Sequence, residues 1–155
     1  MMATIAASLE AYLRRVVVPI RLACLTESGW PLVVSLWYLY RDGQLFCATR
    51  STARVVAYLR HAPRCGFEVA ADQPPYCGVR GYGVATIDEA MGPEILEALL
   101  VRYLGDLDKP LAQRLLAQGA REVAIVIAPV RVFTWNYTER MRDSVPGALD
   151  KPCPE

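Results

Sequence analysis

The sequence predicts an α+β domain in which a six- or seven-stranded, mainly antiparallel sheet curls toward a barrel and carries helices on its flanks. Three observations predict it. Apolar and β-branched runs recur along the chain, broken by turn residues. Apolar stripes at three- and four-residue spacing appear only before, between and after those runs. A small sheet of this kind tends to close in order to hide its edges.

The elements follow in order. Residues 3 to 16 set Ile5, Leu9, Tyr12, Leu13 and Val16 on one stripe, an amphipathic helix that Pro19 ends. IRLACLTE, the turn SGWP, PLVVSLWYLY and LFCAT then read as three strands of an antiparallel meander. Asp42-Gly43 marks a hairpin, because a tight primed turn needs residues that tolerate positive φ. STARVVAYLRHAP places Val55, Val56 and Leu59 on one side of a short helix, with Ser51 or Thr52 as its N-cap and Pro63 as its stop. RCGFEVA and the long strand GVRGYGVATIDEA follow. Gly78, Gly81 and Gly83 in the latter suggest a bulge, a corner or a close approach of backbone. Residues 93 to 104 form a helix ended by Gly105, and PLAQRLLAQ forms another after the capping candidate Asp108. REVAIVIAP and VRVFTWNYT read as two closing strands. One domain over residues 1–141 is expected, and the proline-bearing tail 142–155 is expected to fray.

Composition excludes several classes. The 155 residues are 54% apolar and 21% charged, so the chain can bury a core and is not disordered. Seventeen basic against 16 acidic residues leave a net charge of +1, too little for a nucleic-acid partner or an anionic membrane surface. No run reaches the roughly 18 apolar residues of a membrane span, and the order of a signal peptide is missing at the start. The five cysteines are scattered, odd in number and never spaced as C-x-x-C, which predicts structural thiols in a reducing cytoplasm rather than a disulfide framework. With one histidine, His61, and no clustered ligands, no metal site is expected.

The chemistry concentrates where LFCAT runs into RSTARVV. Thr49, Ser51 and Thr52 offer hydroxyls, Arg50 and Arg54 offer charged forks, and a helix start adds free amides. Such donors can cradle a phosphate. Side chains at helix starts are more often simple caps, so the order of the neighbouring segments has to decide between the two.

That order, SGWPLVVSLWYLYRDGQLFCATRSTARVVAYLRHAPRCGFEVA followed by PPYCGVRGYGVATI, resembles the pyridoxamine 5′-phosphate oxidase-like flavin-binding split barrels over about residues 20–141. The resemblance implies a split β-barrel that holds FMN at the interface of a homodimer. It implies that Val34, Ser35, Leu36 and Trp37 border the flavin ring, and that Ala48 and Thr49 line its ribityl chain. Arg54 would take the family's basic phosphate-binding position, supported by Arg50, Ser51 and Thr52. The Gly78–Arg80 region of a second copy, with Arg80 foremost, and Trp135 would close the site. Two departures matter. Ala53 stands where the family often has a second basic residue. The arginine-rich segment that follows the barrel in true pyridoxamine phosphate oxidases is not found after VFTWNYTERM, so oxidation of vitamin B6 is not expected. The resemblance therefore implies a cytoplasmic flavin-dependent oxidoreductase acting on another small molecule. A deazaflavin coenzyme in place of FMN, and a flavin or haem carrier without turnover, are the alternatives.

Overall fold

A computed structural model describes residues 5–144 and 153–154. Its elements are α1 (Ala7–Arg15), β1 (Ile20–Leu25), β2 (Pro31–Leu36), β3 (Leu39–Arg41), β4 (Gln44–Arg50), α2 (Arg54–His61), β5 (Arg64–Ala70), β6 (Cys77–Asp88), α3 (Gly92–Leu104), α4 (Pro110–Leu116) and β7 (Glu122–Asn136). Short 3-10 turns precede and follow β7. The seven strands form one sheet in the order β2-β1-β5-β6-β7-β4-β3, and every neighbouring pair is antiparallel. This is the α+β architecture expected, with the ladder left open between β2 and β3.

The strand number agrees with expectation through two compensating differences. PLVVSLWYLY is two strands: the chain leaves β2 at one edge, turns at Trp37 and Tyr38, and starts β3 at the other. No meander forms in the first half, because β2 pairs only with β1 and β3 only with β4. REVAIVIAP and VRVFTWNYT are one strand, β7, pairing with β4 through its first half and with β6 along its length. Pro129 does not break it, because the register of β6 against β7 shifts between Tyr82 and Gly83. Gly83 is needed at that bulge: a Cβ there would lie 2.3 Å from the Ala128 carbonyl oxygen. The β3–β4 hairpin turns at Asp42 and Gly43, both at positive φ as its sequence requires.

Two apolar cores lie on the two faces of the sheet. Leu9, Tyr12 and Leu13 of α1 and Val56 and Leu59 of α2 pack against Ile20, Leu22, Leu45, Ile125 and Ile127. On the other face Leu39, Phe46, Ala124 and Val126 meet Ile95 and Leu99 of α3. Successive residues of β7 thus feed opposite cores, and its first half reads as a continuous apolar run rather than an alternation.

Several local expectations are corrected. The N-cap of α2 is Ala53 and that of α4 is Lys109, neither with a side-chain bond, so Ser51, Thr52 and Asp108 do not cap. Asp88 accepts from the Ala90 and Met91 amides before α3, and Glu89 pairs with Arg60 at 2.6 Å. Cys77 and Cys153 form a disulfide across 76 positions, where only structural thiols were expected. Cysteine spacing could not show it, because the fold returns the tail to the start of β6. Cys24, Cys47 and Cys65 are free and buried, and burial pushes the Cys65 thiol up to about 11. Beyond Ser144 the expected fraying falls mainly outside the described residues.

Candidate functional site

The sheet curves until β2 and β4, with four strands between them in the ladder, line the same cleft. β2 contributes Ser35 and Leu36, and Trp37 follows at its exit. β4 contributes Ala48, Thr49 and Arg50, with Thr52 and Ala53 from the connection to α2. Leu96 and Leu99 of α3 and Leu115 of α4 form an apolar wall, and Glu122 at the start of β7 completes the lining. The cleft measures about 490 Å³, within the roughly 300–1,000 Å³ of small-molecule sites.

Local sequence explains the placement. Alternation along β2 turns Val34 and Leu36 toward the first core and leaves Ser35 exposed. Trp37 escapes both strands and packs its ring on Tyr103, centroids 4.8 Å apart and planes 7° from parallel. Tyr103 also holds the turn itself: its hydroxyl donates to the Val18 carbonyl at 2.8 Å and accepts from the Tyr38 amide at 3.1 Å. Burial raises the Tyr103 hydroxyl above its ordinary pKa. α3 can sit this close because its first residue is Gly92, where a Cβ would meet the Glu122 carbonyl oxygen at 2.0 Å.

One cation and one anion face this cleft. Arg50 lies opposite Glu122 in the β4–β7 register and donates from Nη2 to Gln118 Oε1 at 2.7 Å. Burial raises the Glu122 carboxyl above the usual range, and the nearby Arg50 guanidinium offsets part of that rise.

Of the residues singled out in the sequence, Ser35, Leu36, Trp37, Ala48, Thr49, Arg50 and Thr52 come together here. Four do not line the cleft. Val34 packs toward the first core. Ser51 lines a neighbouring polar hollow, and its amide is taken by the Arg121 carbonyl at 2.8 Å. Arg54 is exposed on the first turn of α2. Arg80 lies on the outer face of the sheet, its guanidinium 5.1 Å from the centre of the Trp135 ring. Sequence reasoning missed Leu96, Leu99, Leu115, Gln118 and Glu122. The three leucines carry a helical stripe that any packed helix would show, and nothing local marks the two polar residues.

A second feature lies on the outer face. Leu25, Val33, Tyr82, Val84, Val130 and Phe133 are exposed there, Val33 to 61%. Two hollows of about 650 and 570 Å³ adjoin along it through Ala23, Gly66 and Tyr82, and Arg80 borders the second. Among the described residues no helix is long and apolar enough to cross a membrane.

No family model and no curated protein matches the sequence. Solved structures do. A conserved hypothetical protein of Mycobacterium tuberculosis, Rv2991, is 22% identical, with 88% of this chain and 87% of that one covered and a TM-score of 0.71. An F420 reductase is 22% identical over 83% of this chain and 98% of its own, with a TM-score of 0.69. A candidate pyridoxamine 5′-phosphate oxidase of Listeria innocua is 18% identical over 83% and 92%, with a TM-score of 0.58. Together with the open seven-stranded sheet, these likenesses show that the chain has the split-barrel fold its segment order resembles.

Proposed function

We propose that the protein is a homodimeric flavin-binding split barrel that holds FMN or a deazaflavin coenzyme in the cleft between β2, β4 and α3. The observation that carries this reading is the convergence of Ser35, Trp37, Thr49, Arg50 and Thr52 on one cleft from segments far apart in the ladder. Its donor set suits such a group. Hydroxyls can meet a polyol chain, one arginine can meet a phosphate, and an apolar wall with an indole at one end can meet a ring system. The fold shared with an F420 reductase and with a candidate pyridoxamine 5′-phosphate oxidase supports the same class.

The chain's own residues do the holding. Trp37, backed by Tyr103, offers a fixed wall at one end. Ala48 is small enough to let a ligand approach β4. Thr49 and Thr52 donate along the chain of the ligand, and Arg50 faces its anionic end. A flavin, when bound, supplies hydride chemistry, and the protein's part is orientation and exclusion of water. The homodimer rests on the outer face: an apolar surface of that extent on a sheet calls for a cover, and a second copy would also bring Arg80 and Trp135 near the cleft of the first. An oxidoreductase acting on a small molecule is the activity that follows.

The test is a visible spectrum of the purified protein with mass analysis of the ligand it releases, alongside sedimentation. Flavin or deazaflavin absorption from a dimer is the expected result. A colourless monomer that neither FMN nor a deazaflavin alters would overturn the proposal. Reduction of the bound group by a reduced nicotinamide separates an enzyme from a carrier.

A further inference from the structure

The cleft is not a cationic phosphate cradle. Among its lining residues Arg50 is the one cation and Glu122 the one anion, and they face each other at the ends of β4 and β7. The lining therefore has no net charge. Arg50 is further engaged by Gln118 at 2.7 Å, and Arg54, the second arginine of the local sequence, stands outside.

We propose that Glu122 is a specificity-determining residue that sets the charge of the anion this cleft accepts, favouring a phosphodiester monoanion over a phosphomonoester dianion. The inference rests on the flavin reading above. A single negative charge placed by Thr49, Arg50 and Thr52 takes up the attraction of Arg50 and leaves the site balanced. A second negative charge finds no further cation in the lining and shares the cleft with a carboxylate in a half-buried setting, where repulsion is stronger than in water. The position of Glu122 is firm, because Gly92 packs α3 directly onto its backbone.

Other charges near Glu122 do not cancel it. Arg60 of α2 and Glu89 before α3 share a neighbouring hollow with Glu122, and they neutralise each other at 2.6 Å. Arg121 lines that same hollow and not the cleft. Burial raises the Glu122 carboxyl above its ordinary range, so the repulsion acts in full only where the pH keeps that carboxyl ionised.

Three flavins with the same ring and ribityl chain, differing at the 5′ end, test this. Riboflavin carries no phosphate, the 5′-phosphate monomethyl ester of riboflavin carries one charge, and FMN carries nearly two above its second pKa of about 6. Binding is measured by flavin fluorescence at mildly alkaline pH for the wild type, Glu122→Gln and Gln118→Glu, each checked for native circular dichroism. The wild type is expected to bind the methyl ester about tenfold more tightly than FMN. Glu122→Gln abolishes that preference by gaining affinity for FMN. Gln118→Glu, which leaves β7 untouched, widens it. Equal affinity for FMN and methyl ester in the wild type, or a preference that survives in Glu122→Gln, overturns the inference while leaving the flavin reading intact. Failure of all three flavins to bind any form overturns the inference and removes FMN from the reading above, leaving the deazaflavin coenzyme to be tested by its own titration.

Discussion

Trp37 lies flat against Tyr103, and the stack joins the point where the chain crosses from one edge of the sheet to the other to the last turn of α3. The two partners carry different loads. Trp37 presents its ring to the cleft, whereas Tyr103 anchors the crossing through the Val18 carbonyl and the Tyr38 amide. Trp37→Leu should weaken flavin binding and lower stability by about 1–2 kcal/mol through the lost ring pair. Tyr103→Phe should keep the stack but leave the Tyr38 amide unpaired, at about 1–3 kcal/mol. Urea unfolding with a flavin titration checks both. Undiminished flavin binding by Trp37→Leu would reduce the indole to packing.

Arg102 organises the neighbouring corner. Its guanidinium donates to the Arg14, Leu13 and Val16 carbonyls at 2.6, 3.2 and 2.6 Å, around the C-terminal end of α1. The buried Tyr38 hydroxyl shares two of those acceptors, Leu13 and Val16, at 2.8 and 3.0 Å. Cations at a helix C-terminus also meet the negative end of its dipole. Arg102→Ala should therefore cost about 2–3 kcal/mol. Arg102→Lys should recover less than half, because an ammonium cannot span three carbonyls as a planar fork does. Thermal unfolding gives both values, and equal stability of the lysine variant and the wild type would refute the shared cap.

How far the fold could be read in the sequence depends on where the information lay. Helices and hairpins were legible because their causes are local: the stripe of α1, the prolines after α1 and α2, and Asp42-Gly43 between β3 and β4. Strand order was not, because the break at Trp37 and Tyr38 is imposed by Tyr103, 65 positions beyond Tyr38. REVAIVIAP and VRVFTWNYT read as two strands because no local pattern shows that the bulge on β6 lets β7 run on through Pro129. In the candidate site, residues of β2 and β4 were reachable through the resemblance. Gln118 and Glu122 were not: their importance comes from facing Arg50, 68 and 72 positions earlier in the chain, and no local pattern encodes that.

The disulfide makes a separate prediction. Cys77 begins β6 and Cys153 lies 76 positions on, so the bond closes a long loop in the unfolded chain. The loop-entropy account gives about 4–5 kcal/mol for a loop this long, and disulfides typically deliver about 2–4 kcal/mol. Cys153→Ser should lose that amount relative to the oxidised wild type and should match the wild type once a reductant is added. Calorimetry of both forms, with and without reductant, measures it. A variant indistinguishable from the wild type under oxidising conditions would show that the bond does not form or does not stabilise. Disulfides persist in oxidising surroundings, so the thiol state of protein taken directly from cells also bears on the compartment.

Glu122 makes the ligand-free protein sensitive to pH with a definite sign. Burial raises its pKa in the folded chain above the glutamate reference of 4.5, with Arg50 opposing in part. Between the unfolded and the folded value the native state still holds a proton that the unfolded chain has released, so stability falls as pH rises through that window. Below the window Glu122 contributes no pH dependence, and above it the full penalty of an ionised, half-buried carboxylate is present. Glu122→Gln has no proton to lose. Its stability advantage over the wild type should therefore start near zero in acid, grow through the window and hold constant at neutral pH, all without flavin. Urea unfolding of the two proteins across that range follows the difference. A wild type more stable than Glu122→Gln at neutral pH would mean that attraction to Arg50 outweighs burial. The carboxylate would then be anchored as half of an ion pair with Arg50, and its folded-state pKa would lie below the reference value.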